Sequence, residues 1–396
     1  MAKPEIRLKG FEGEWKSGIF ATYAKPYFVS NKYVHHQNLL SLSYGKIVQK
    51  DIKANKGLLP ASFDTYQIVK DGIIVFRFTD LQNDHKSLRV GIAKEEGIIS
   101  PAYVCVECDN IDPDFLYLQM HTYDMRKVFY SMGDGMRQTL SYNDVKEMSI
   151  YIPSLSEQRA IVEYFNALEK EINTEAEILT KLKQMKSASL ISMFPQEGET
   201  IPRVRFKGFE GEWEDVCFKD ISYPAGMKNK DNLSLESYSI SNEYGFIPQN
   251  EQFENGGTMS SADKRLYYIV TPDSFAYNPA RINVGSIGYD DLDKDVIVSS
   301  LYVVFKTDDE TYNPFLNYWF KTPMFRKMIE LYQEGGVRLY FFYDKLCNCH
   351  FRRPSLKEQH RIASFFKSLD KQISLQEQRL EKLKQIKATC LDKMFV

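Results

Sequence analysis

The chain has 396 residues, of which 43% are hydrophobic and 26% are charged, and its formal net charge is −2. This composition is typical of a folded globular protein and excludes a disordered tail, while the balanced charge neither requires nor excludes a nucleic-acid partner. No run approaches the roughly 18 apolar residues of a membrane helix, and the first residues, MAKPEIRLKG, lack the apolar core of a signal peptide. Six cysteines are too few for a disulfide scaffold in so long a chain. We therefore expect a cytoplasmic protein of two or three domains.

The chain begins with a segment that it repeats in its second half. The sequence KGFEGEW occurs at residues 9–15 and again at residues 207–213, within two opening segments, 1–15 and 202–213. The shared pattern extends to P-x-[IV]-R-[LF]-K-G-F-E-G-E-W. A match of this length does not arise by chance and indicates an internal duplication.

Each opening segment carries one tryptophan and one arginine in matching places. We expect Trp15 and Trp213 to be packing anchors at the start of each following domain, because large aromatic side chains favour burial. We expect Arg7 and Arg205 to be surface or docking charges.

Two stretches of mixed character, 16–152 and 214–353, follow the opening segments and resemble each other only in patches. Their short runs of β-branched and aromatic residues, such as GIIVFRF and DVIVSSLYVVF, are separated by Gly, Pro, Asn and Asp, which is typical of strands and turns. A helix-like stretch follows in each. The sequence therefore predicts two mixed α/β domains, 1–152 and 196–353, which we call the first and second heads.

Each head is followed by a predicted long helix, 153–195 and 354–396. A Ser-x-x-Glu capping-box signature marks each start, at residues 154–157 and 355–358. Apolar residues then recur with heptad spacing, at Ile161, Phe165, Leu168, Ile172, Leu179 and Leu182, and at Ile362, Phe366, Leu369, Ile373, Leu380 and Leu383.

A helix of about 40 residues cannot bury such a stripe alone. We predict that the two helices pair with each other as an antiparallel coiled coil and give the chain an internal pseudo-twofold repeat. The alternative is that each stripe packs on its own head as an ordinary core helix.

The sequence offers no convincing catalytic or metal site. It lacks a phosphate-binding loop and a dinucleotide fingerprint. Residues 313–315, NPF, miss the second proline of the adenine methyltransferase signature N-P-P-[FY]. Cys105 and Cys108 with the CNCH run at 347–350 suggest zinc, but KEMS at 146–149 replaces that run in the duplicate. We expect no catalytic residue, no cofactor and no metal.

The repeated KGFEGEW segments, the helix starts IPSLSEQRAI and RPSLKEQHRI, and the helix ends LKQ[MI]K…MF resemble the specificity (S) subunit of type I restriction-modification systems over essentially the whole chain. The resemblance implies two α/β target-recognition domains joined by the two helices, and a subunit that is not itself catalytic. It also implies double-stranded DNA, two adenine methyltransferase (M) subunits and restriction/translocase (R) subunits as partners, with no membrane partner. Two unlike heads would read an asymmetric bipartite target.

Loop residues of types that contact bases and phosphates are the candidate DNA-binding residues. The doubled tripeptides GMR at 135–137 and GVR at 336–338 suggest positioning contacts to phosphate, because a glycine turn lets the backbone come close. For each candidate the alternative is a solvated surface charge. The predicted residues are Lys53, Lys56, Arg77, Arg89, Arg137 and Tyr142 in the first head, and Lys264, Arg265, Asn278, Arg281, Arg338 and Tyr343 in the second.

Two other classes of function remain open at this stage. A structural or adaptor protein with two protein-binding heads on a helical rod would also explain the duplication, and it predicts no salt-dependent DNA affinity in the presence of methyltransferase subunits. An enzyme would transfer methyl groups from S-adenosylmethionine as an isolated chain.

Overall fold

The computed structural model describes residues 3–53, 60, 62–79, 88–132, 139–242, 245–252 and 263–396. In these ranges no helix is both long enough and apolar enough to cross a membrane. The chain forms two compact units: unit 1 is Met1–Ala176 with Gln378–Val396, and unit 2 is Glu177–Glu377. Each unit thus combines one head with a part of both long helices.

Unit 1 contains the first head, in which short strands surround one longer helix. Pro113 begins that helix, and Asp112 caps it by accepting from the N–H groups of Asp114 and Phe115. The strands are β1 Lys16–Ile19, β2 Ala24–Pro26, β3 Leu39–Ser43, β4 Lys46–Lys50, β5 Gln67–Val69, β6 Ile74–Phe76, β7 Val90–Ile92, β8 Gly97–Ile99, β9 Val104–Cys108 and β10 Ser149–Ile152. The helices are α1 Phe20–Tyr23, α2 Pro113–Met125, α3 Tyr142–Val145 and the first part of the long α4 Leu155–Ser192, which continues into unit 2.

The strands of unit 1 form two four-stranded sheets and one pair. One sheet has the order β2-β9-β6-β7 and is antiparallel, and the other has the order β4-β3-β8-β5, with β3 parallel to β8. The pair joins β1 to β10, with Lys16 opposite Ile152. This register brings the end of the opening segment next to the start of α4.

The main core of unit 1 is centred on Trp15, which is 3% exposed. Its ring meets Phe115 and Phe395 edge-on, with ring centroids 5.7 and 6.2 Å apart. Phe165 of α4 joins the same cluster. The prediction that Trp15 is a packing anchor is therefore confirmed, since the ring links the head to both helix segments of the unit.

Unit 2 repeats this plan. Its strands are β11 Glu214–Cys217, β12 Ser222–Pro224, β13 Met227–Lys228, β14 Tyr238–Ser241, β15 Gly245–Pro248, β16 Tyr268–Val270, β17 Phe275–Tyr277, β18 Ile287–Tyr289, β19 Val296–Val298, β20 Val303–Thr307 and β21 His350–Arg353. Its helices are α5 Phe218–Ile221, α6 Gln249–Gln252, α7 Asn313–Trp319, α8 Pro323–Tyr332, α9 Tyr343–Cys347 and the first part of the long α10 Leu356–Lys393, which continues into unit 1.

The antiparallel sheet β12-β20-β17-β18 of unit 2 has the same strand order as β2-β9-β6-β7, and β11 pairs with β21 as β1 pairs with β10. Strands β13, β16 and β19 form a further sheet, and β14 pairs with β15. Trp213 is 2% exposed and packs against Phe194 and Phe315, so it too is a packing anchor. The mixed α/β prediction holds for both heads.

The opening segments are fixed to the helix starts by ion pairs between a partly buried arginine and a buried glutamate. Arg7 donates through Nε and Nη2 to the two carboxylate oxygens of Glu157, both at 2.7 Å, and Arg205 makes the same pair with Glu358, at 2.7 and 2.8 Å. Both glutamates are almost fully buried. The indole N–H of Trp15 also donates to Glu157, at 3.3 Å. We call each Arg–Glu pair, with the main-chain carbonyls that the arginine also binds, a clasp.

The clasps correct two predictions. Arg7 and Arg205 are not free surface or docking charges, because each guanidinium is held by both oxygens of a buried carboxylate and by two main-chain carbonyls. The capping box of α4 is only half formed: the N–H of Glu157 donates to Ser154 Oγ at 3.3 Å, but the glutamate carboxylate binds Arg7 instead of returning to the serine N–H.

The two long helices contact each other inside each unit. In unit 1 Lys387 of α10 pairs with Glu169 of α4, and the Tyr164 hydroxyl lies 3.3 Å from Cys390 Sγ. In unit 2 Lys183 of α4 lies 2.6 Å from Glu377 of α10, and Lys186 lies 2.5 Å from Asp370. In both units, contacts further along α4 are made to earlier residues of α10. This pattern of contacts is antiparallel.

Candidate nucleic-acid interface

A groove of about 860 Å³ on the second head collects three of the predicted residues, Asn278, Arg281 and Arg338. One wall is the segment that follows β17, and the other is a hairpin formed by residues 334–340. Leu301 and Phe342 add apolar surface. The groove therefore combines guanidinium, amide and apolar groups within one concave surface.

The hairpin depends on a glycine whose positive φ leaves no room for a side chain. Glu334 and Tyr340 form an antiparallel bridge through two backbone hydrogen bonds of 2.9 and 2.8 Å. Gly335 has φ +137°, and a Cβ there would lie 2.1 Å from the carbonyl oxygen of Arg338. Any other residue would break this turn. The turn leaves Val337 and Arg338 exposed at the tip.

The base of the hairpin is held by the segment that follows β17. The N–H of Phe341 donates to the carbonyl of Pro279 at 3.0 Å, and the Phe341 ring is fully buried. The rings of Tyr340 and Phe342 stack nearly parallel, 5.5 Å apart. Lys345 pairs with Glu334 at 2.8 Å, and this hydrogen bond raises the pKa of the lysine. The tip is thus presented by a well-anchored base.

The opposite wall offers free donors. Asn278 Oδ1 accepts from the N–H of Ala280 at 3.0 Å, which leaves the side-chain amide N–H groups available. The Arg281 N–H donates to the carbonyl of Asn278, also at 3.0 Å, and fixes the turn. In the part of the chain that the structure describes, the guanidinium groups of Arg281 and Arg338 form no hydrogen bond or ion pair. Both are therefore available to an external acceptor.

Lys264 and Arg265 do not line this groove. They lie exposed in a short 3-10 turn, Lys264–Leu266, which Asp263 caps. Arg265 binds both carboxylate oxygens of Asp263, and this pairing raises the pKa of the arginine and lowers that of the aspartate. Part of the Arg265 charge is thus already compensated.

The first head has a similar backbone arrangement after β6, the strand that corresponds to β17. Arg77 directly follows β6 as Asn278 follows β17, and the N–H of Leu140 donates to the carbonyl of Phe78 at 3.0 Å, as Phe341 does to Pro279. Arg77 is half-buried and Lys53 is exposed. Lys56 and Arg137, with the rest of GMR, lie outside the described residues.

The prediction that Arg89 contacts DNA is wrong, because Arg89 does not lie on the surface. Its side chain is fully buried, its guanidinium Nη1 donates to the carbonyl of Thr79, and its backbone N–H donates to the carboxylate of Asp124. Burial raises the pKa of Asp124 to about 6. Arg89 therefore supports the sheet from inside and cannot reach a ligand on the surface of this fold.

Tyr142 and Tyr343, the other doubled candidates, use their hydroxyls inside the heads. Tyr142 donates to the carbonyl of Ala24 at 2.8 Å, and the Tyr343 hydroxyl lies 3.0 Å from Ser222 Oγ. Burial raises the pKa of Tyr343 to about 12. Their equivalence in the two heads is explained by packing.

Sequence reasoning missed three features of this surface. The first is the apolar tip residue Val337, and the second is the parallel pair of Tyr340 and Phe342. The third is Leu301, which is 70% exposed. The run RLYFFY resembles an ordinary buried strand, and only the preceding Gly-Gly pair signalled a projecting turn.

The cysteines form no evident reactive site. All six are free thiols, and burial raises the pKa values of Cys105, Cys108 and Cys349 to about 12. In the described ranges no three His, Cys, Asp or Glu residues group as metal ligands would.

Comparison with known proteins places these features in context. The model of a family described as "Type I restriction modification DNA specificity domain" matches residues 88–184 and 210–385. The fold is similar to that of the type I restriction-modification S subunit from M. genitalium, with 14% sequence identity, a TM-score of 0.57, and 100% of this chain and 99% of that chain covered.

Two further solved structures show the same similarity in fold. The HsdS subunit from Thermoanaerobacter tengcongensis is 17% identical, with 96% of each chain covered and a TM-score of 0.50. A chain from a study described as "Structural basis underlying complex assembly and conformational transition of the type I R-M system" is 17% identical, with 97% of this chain and 98% of that chain covered and a TM-score of 0.56. The fold is thus shared over nearly the whole length.

Proposed function

Because the chain belongs to the family of type I restriction modification DNA specificity domains, we propose that it directs a methyltransferase and nuclease complex to an asymmetric, bipartite DNA target. Each head reads one half of the target. The observation that supports this most strongly is the groove of the second head, where Arg281, Arg338 and Asn278 offer free donors beside apolar side chains.

The chemistry of the groove suits a DNA major groove. Arginine pairs with guanine, asparagine pairs with adenine, and apolar side chains contact the thymine methyl group. Arginine at a glycine turn also binds phosphate. We assign Arg338 to phosphate positioning, because GVR has a counterpart in the first head, and Asn278 and Arg281 to base reading.

The first head reads different bases through the same frame. Arg77 occupies the place that Asn278 has in the second head, so the two heads present different donors at equivalent points. Lys53, Lys56 and Arg137 complete the proposed surface of the first head, and Lys264 and Arg265 that of the second. Because the two heads carry different side chains at equivalent positions of the same fold, the two halves of the DNA target would differ.

The chain is proposed to act without catalysing a reaction itself. An adenine must leave the base stack before it can be methylated, so the chain needs only to position the duplex while a methyltransferase subunit extrudes and modifies the base. Two M subunits fit a duplicated chain, since each repeat offers an equivalent docking surface. R subunits would complete the restriction enzyme.

The helices α4 and α10 are proposed to form an antiparallel coiled coil. Their ion pairs within each unit, such as Lys387 with Glu169 and Lys183 with Glu377, support this pairing. Each helix has 38 residues and is about 57 Å long at 1.5 Å per residue. The length of the pair would set the number of base pairs left unread.

Methylome sequencing tests the proposal. Cells that express this chain with a methyltransferase subunit of the same system should carry modified adenine in one bipartite motif. Cells that express the methyltransferase subunit alone should lack it. A competent methyltransferase that gives no modified motif with this chain would contradict the proposal and favour an adaptor with two protein-binding heads.

A further inference from the structure

The tip of the hairpin formed by residues 334–340 carries a valine that the second head does not cover. Val337 is fully exposed. A Cβ at the neighbouring Gly336 would meet nothing within 4 Å among the described residues other than its chain neighbours, so the tip projects from the head. Single apolar side chains are common on protein surfaces. Val337 differs from these because an anchored turn holds it outward, which leaves it little freedom to lose on binding.

The surroundings of Val337 favour a polyanion over an apolar protein partner. Arg338 follows it in the chain and Arg281 lies on the opposite wall, and neither guanidinium has an acceptor among the described residues. The described lining of the groove includes these two arginines and no carboxylate. An apolar side chain beside two unpaired cations suits a DNA duplex, in which the phosphates accept from the arginines and the bases offer apolar surface.

A duplex offers such a valine two kinds of apolar contact. One is the methyl group of a thymine at the edge of the major groove. The other is the space between two base pairs, where an inserted side chain unstacks the step and bends the duplex. The first contact reads sequence and should differ between heads that read different bases. The second assists the extrusion of an adenine, which both halves of the target require.

The duplication favours the second kind of contact. The residue between glycine and arginine is apolar in both heads, Val337 in GVR and Met136 in GMR. Met136 lies outside the described residues, and its correspondence to Val337 is one of sequence. The base-reading candidates at equivalent places, Arg77 and Asn278, are by contrast chemically unlike. A side chain that separates two base pairs must be apolar and fill space, but it needs no particular hydrogen bond.

We propose that Val337 is a wedge that enters the base stack beside the adenine to be methylated in one half of the target, while Arg338 binds the adjacent phosphate. Met136 has the same role in the other half. This inference rests on the proposed function, in which a methyltransferase subunit extrudes one adenine from each half. It adds that the specificity chain itself loosens the stack at both places.

The fluorescence of 2-aminopurine at the position of each target adenine tests this, because the base becomes brighter when it leaves the stack. Methylome sequencing first defines the target, and the probe is placed in one half at a time. The protein is the full chain in complex with its methyltransferase subunits. Val337→Ala should lower the fluorescence of the bound probe about tenfold in one half only, since two methyl groups of apolar contact are lost. The methylation rate of that half in an unmodified duplex should fall alike.

Two further variants make the expected result specific. Met136→Ala should have the same effects in the opposite half of the target. Val337→Met should restore both fluorescence and rate, because the first head carries methionine at this place. Val337→Ala should leave the slope of log K against log salt unchanged, since no phosphate contact is removed. Leu331→Ala, an exposed apolar residue of α8 outside the groove, is the matched control and should change neither half.

The outcomes that contradict the wedge are distinct from failure of the proposed function. Wild-type fluorescence and rate of Val337→Ala in both halves would overturn the wedge alone. Weaker binding by Val337→Ala, with unchanged fluorescence of the bound probe, would indicate a thymine contact and would also overturn the wedge. A wild-type complex that modifies no target would overturn the proposed function and the inference with it.

Discussion

Arginines of similar appearance in the sequence have different roles in the fold. Arg89 lies inside the first head and Arg7 closes a clasp, whereas Arg281 and Arg338 extend from the groove with no protein partner among the described residues. The residue type and a nearby glycine make Arg338 a candidate phosphate contact, and its side chain is exposed in the fold. The burial of Arg89 could not be predicted, because the carboxylate and the carbonyl that hold it come from distant positions, Asp124 and Thr79.

Arg338→Ala tests the role of the hairpin tip. In the complex with its methyltransferase subunits, the variant should bind target DNA about tenfold more weakly, and the slope of log K against log salt should fall by about 0.9, the value for one lost phosphate contact. Binding curves at several salt concentrations measure both. Arg326→Ala, an exposed arginine on α8, is the matched control. An unchanged slope would rule out the phosphate contact.

Whole elements were predicted more reliably than the contacts that hold them. The start of α4 follows from Pro153 and Ser154, and its length follows from the heptad pattern. The partner of Glu157 could not be predicted from the sequence, because the same carboxylate could either complete the capping box or bind Arg7 in the clasp. Tertiary structure decides between them: the buried Arg7 pair satisfies both carboxylate oxygens.

Arg7→Ala should destabilise unit 1. It leaves the buried Glu157 carboxylate without its cation, which costs about 3 kcal/mol or more. Urea denaturation followed by tryptophan fluorescence measures the loss. Lys9→Ala, in the same loop, should leave the free energy of unfolding within about 0.5 kcal/mol of wild type. Adding Glu157→Gln to Arg7→Ala should recover part of the loss, and equal stability of Arg7→Ala and wild type would contradict the clasp.

A buried carboxyl group beside β18 makes the stability of unit 2 depend on pH. Burial raises the pKa of Asp290 to about 7; its Oδ1 accepts from Leu292, and Oδ2 has no hydrogen-bond partner among the described residues. Between about pH 4 and 7 the folded state holds a proton that the unfolded state has lost, so the contribution of this group to stability falls as pH rises through that window.

Asp290→Asn mimics the protonated carboxyl. The variant should match wild type near pH 5 and be more stable at pH 8, by on the order of 3 kcal/mol. Thermal unfolding of both proteins at both pH values measures this difference in stability. Because the other carboxylates titrate equally in variant and wild type, their contributions cancel in the comparison. The exposed Asp291→Asn is the control. A variant less stable than wild type at pH 8 would show that Asp290 is ionised and stabilising in the fold.

At the scale of the whole molecule, the sequence shows a duplication and the structure shows what was retained. The sheet order, the opening segments and the clasps are common to both units. The two heads differ in the hydrogen-bond donors that they carry at equivalent positions, for example Arg77 in the first head and Asn278 in the second. The repeat was evident from sequence because KGFEGEW and the helix starts are local patterns. The groove was not, since it joins residues 278–283 to 337–342 through folding.

The exchange of one head tests the central claim most directly. Residues 16–152 are replaced by the corresponding stretch of another specificity subunit of known target, and the modified adenines of cells that express the chimera with the methyltransferase subunit are sequenced. The account predicts a motif in which one half changes to that of the donor and the other half is retained. A motif unchanged in both halves, in cells where the chimera is folded and bound to the methyltransferase, would contradict it.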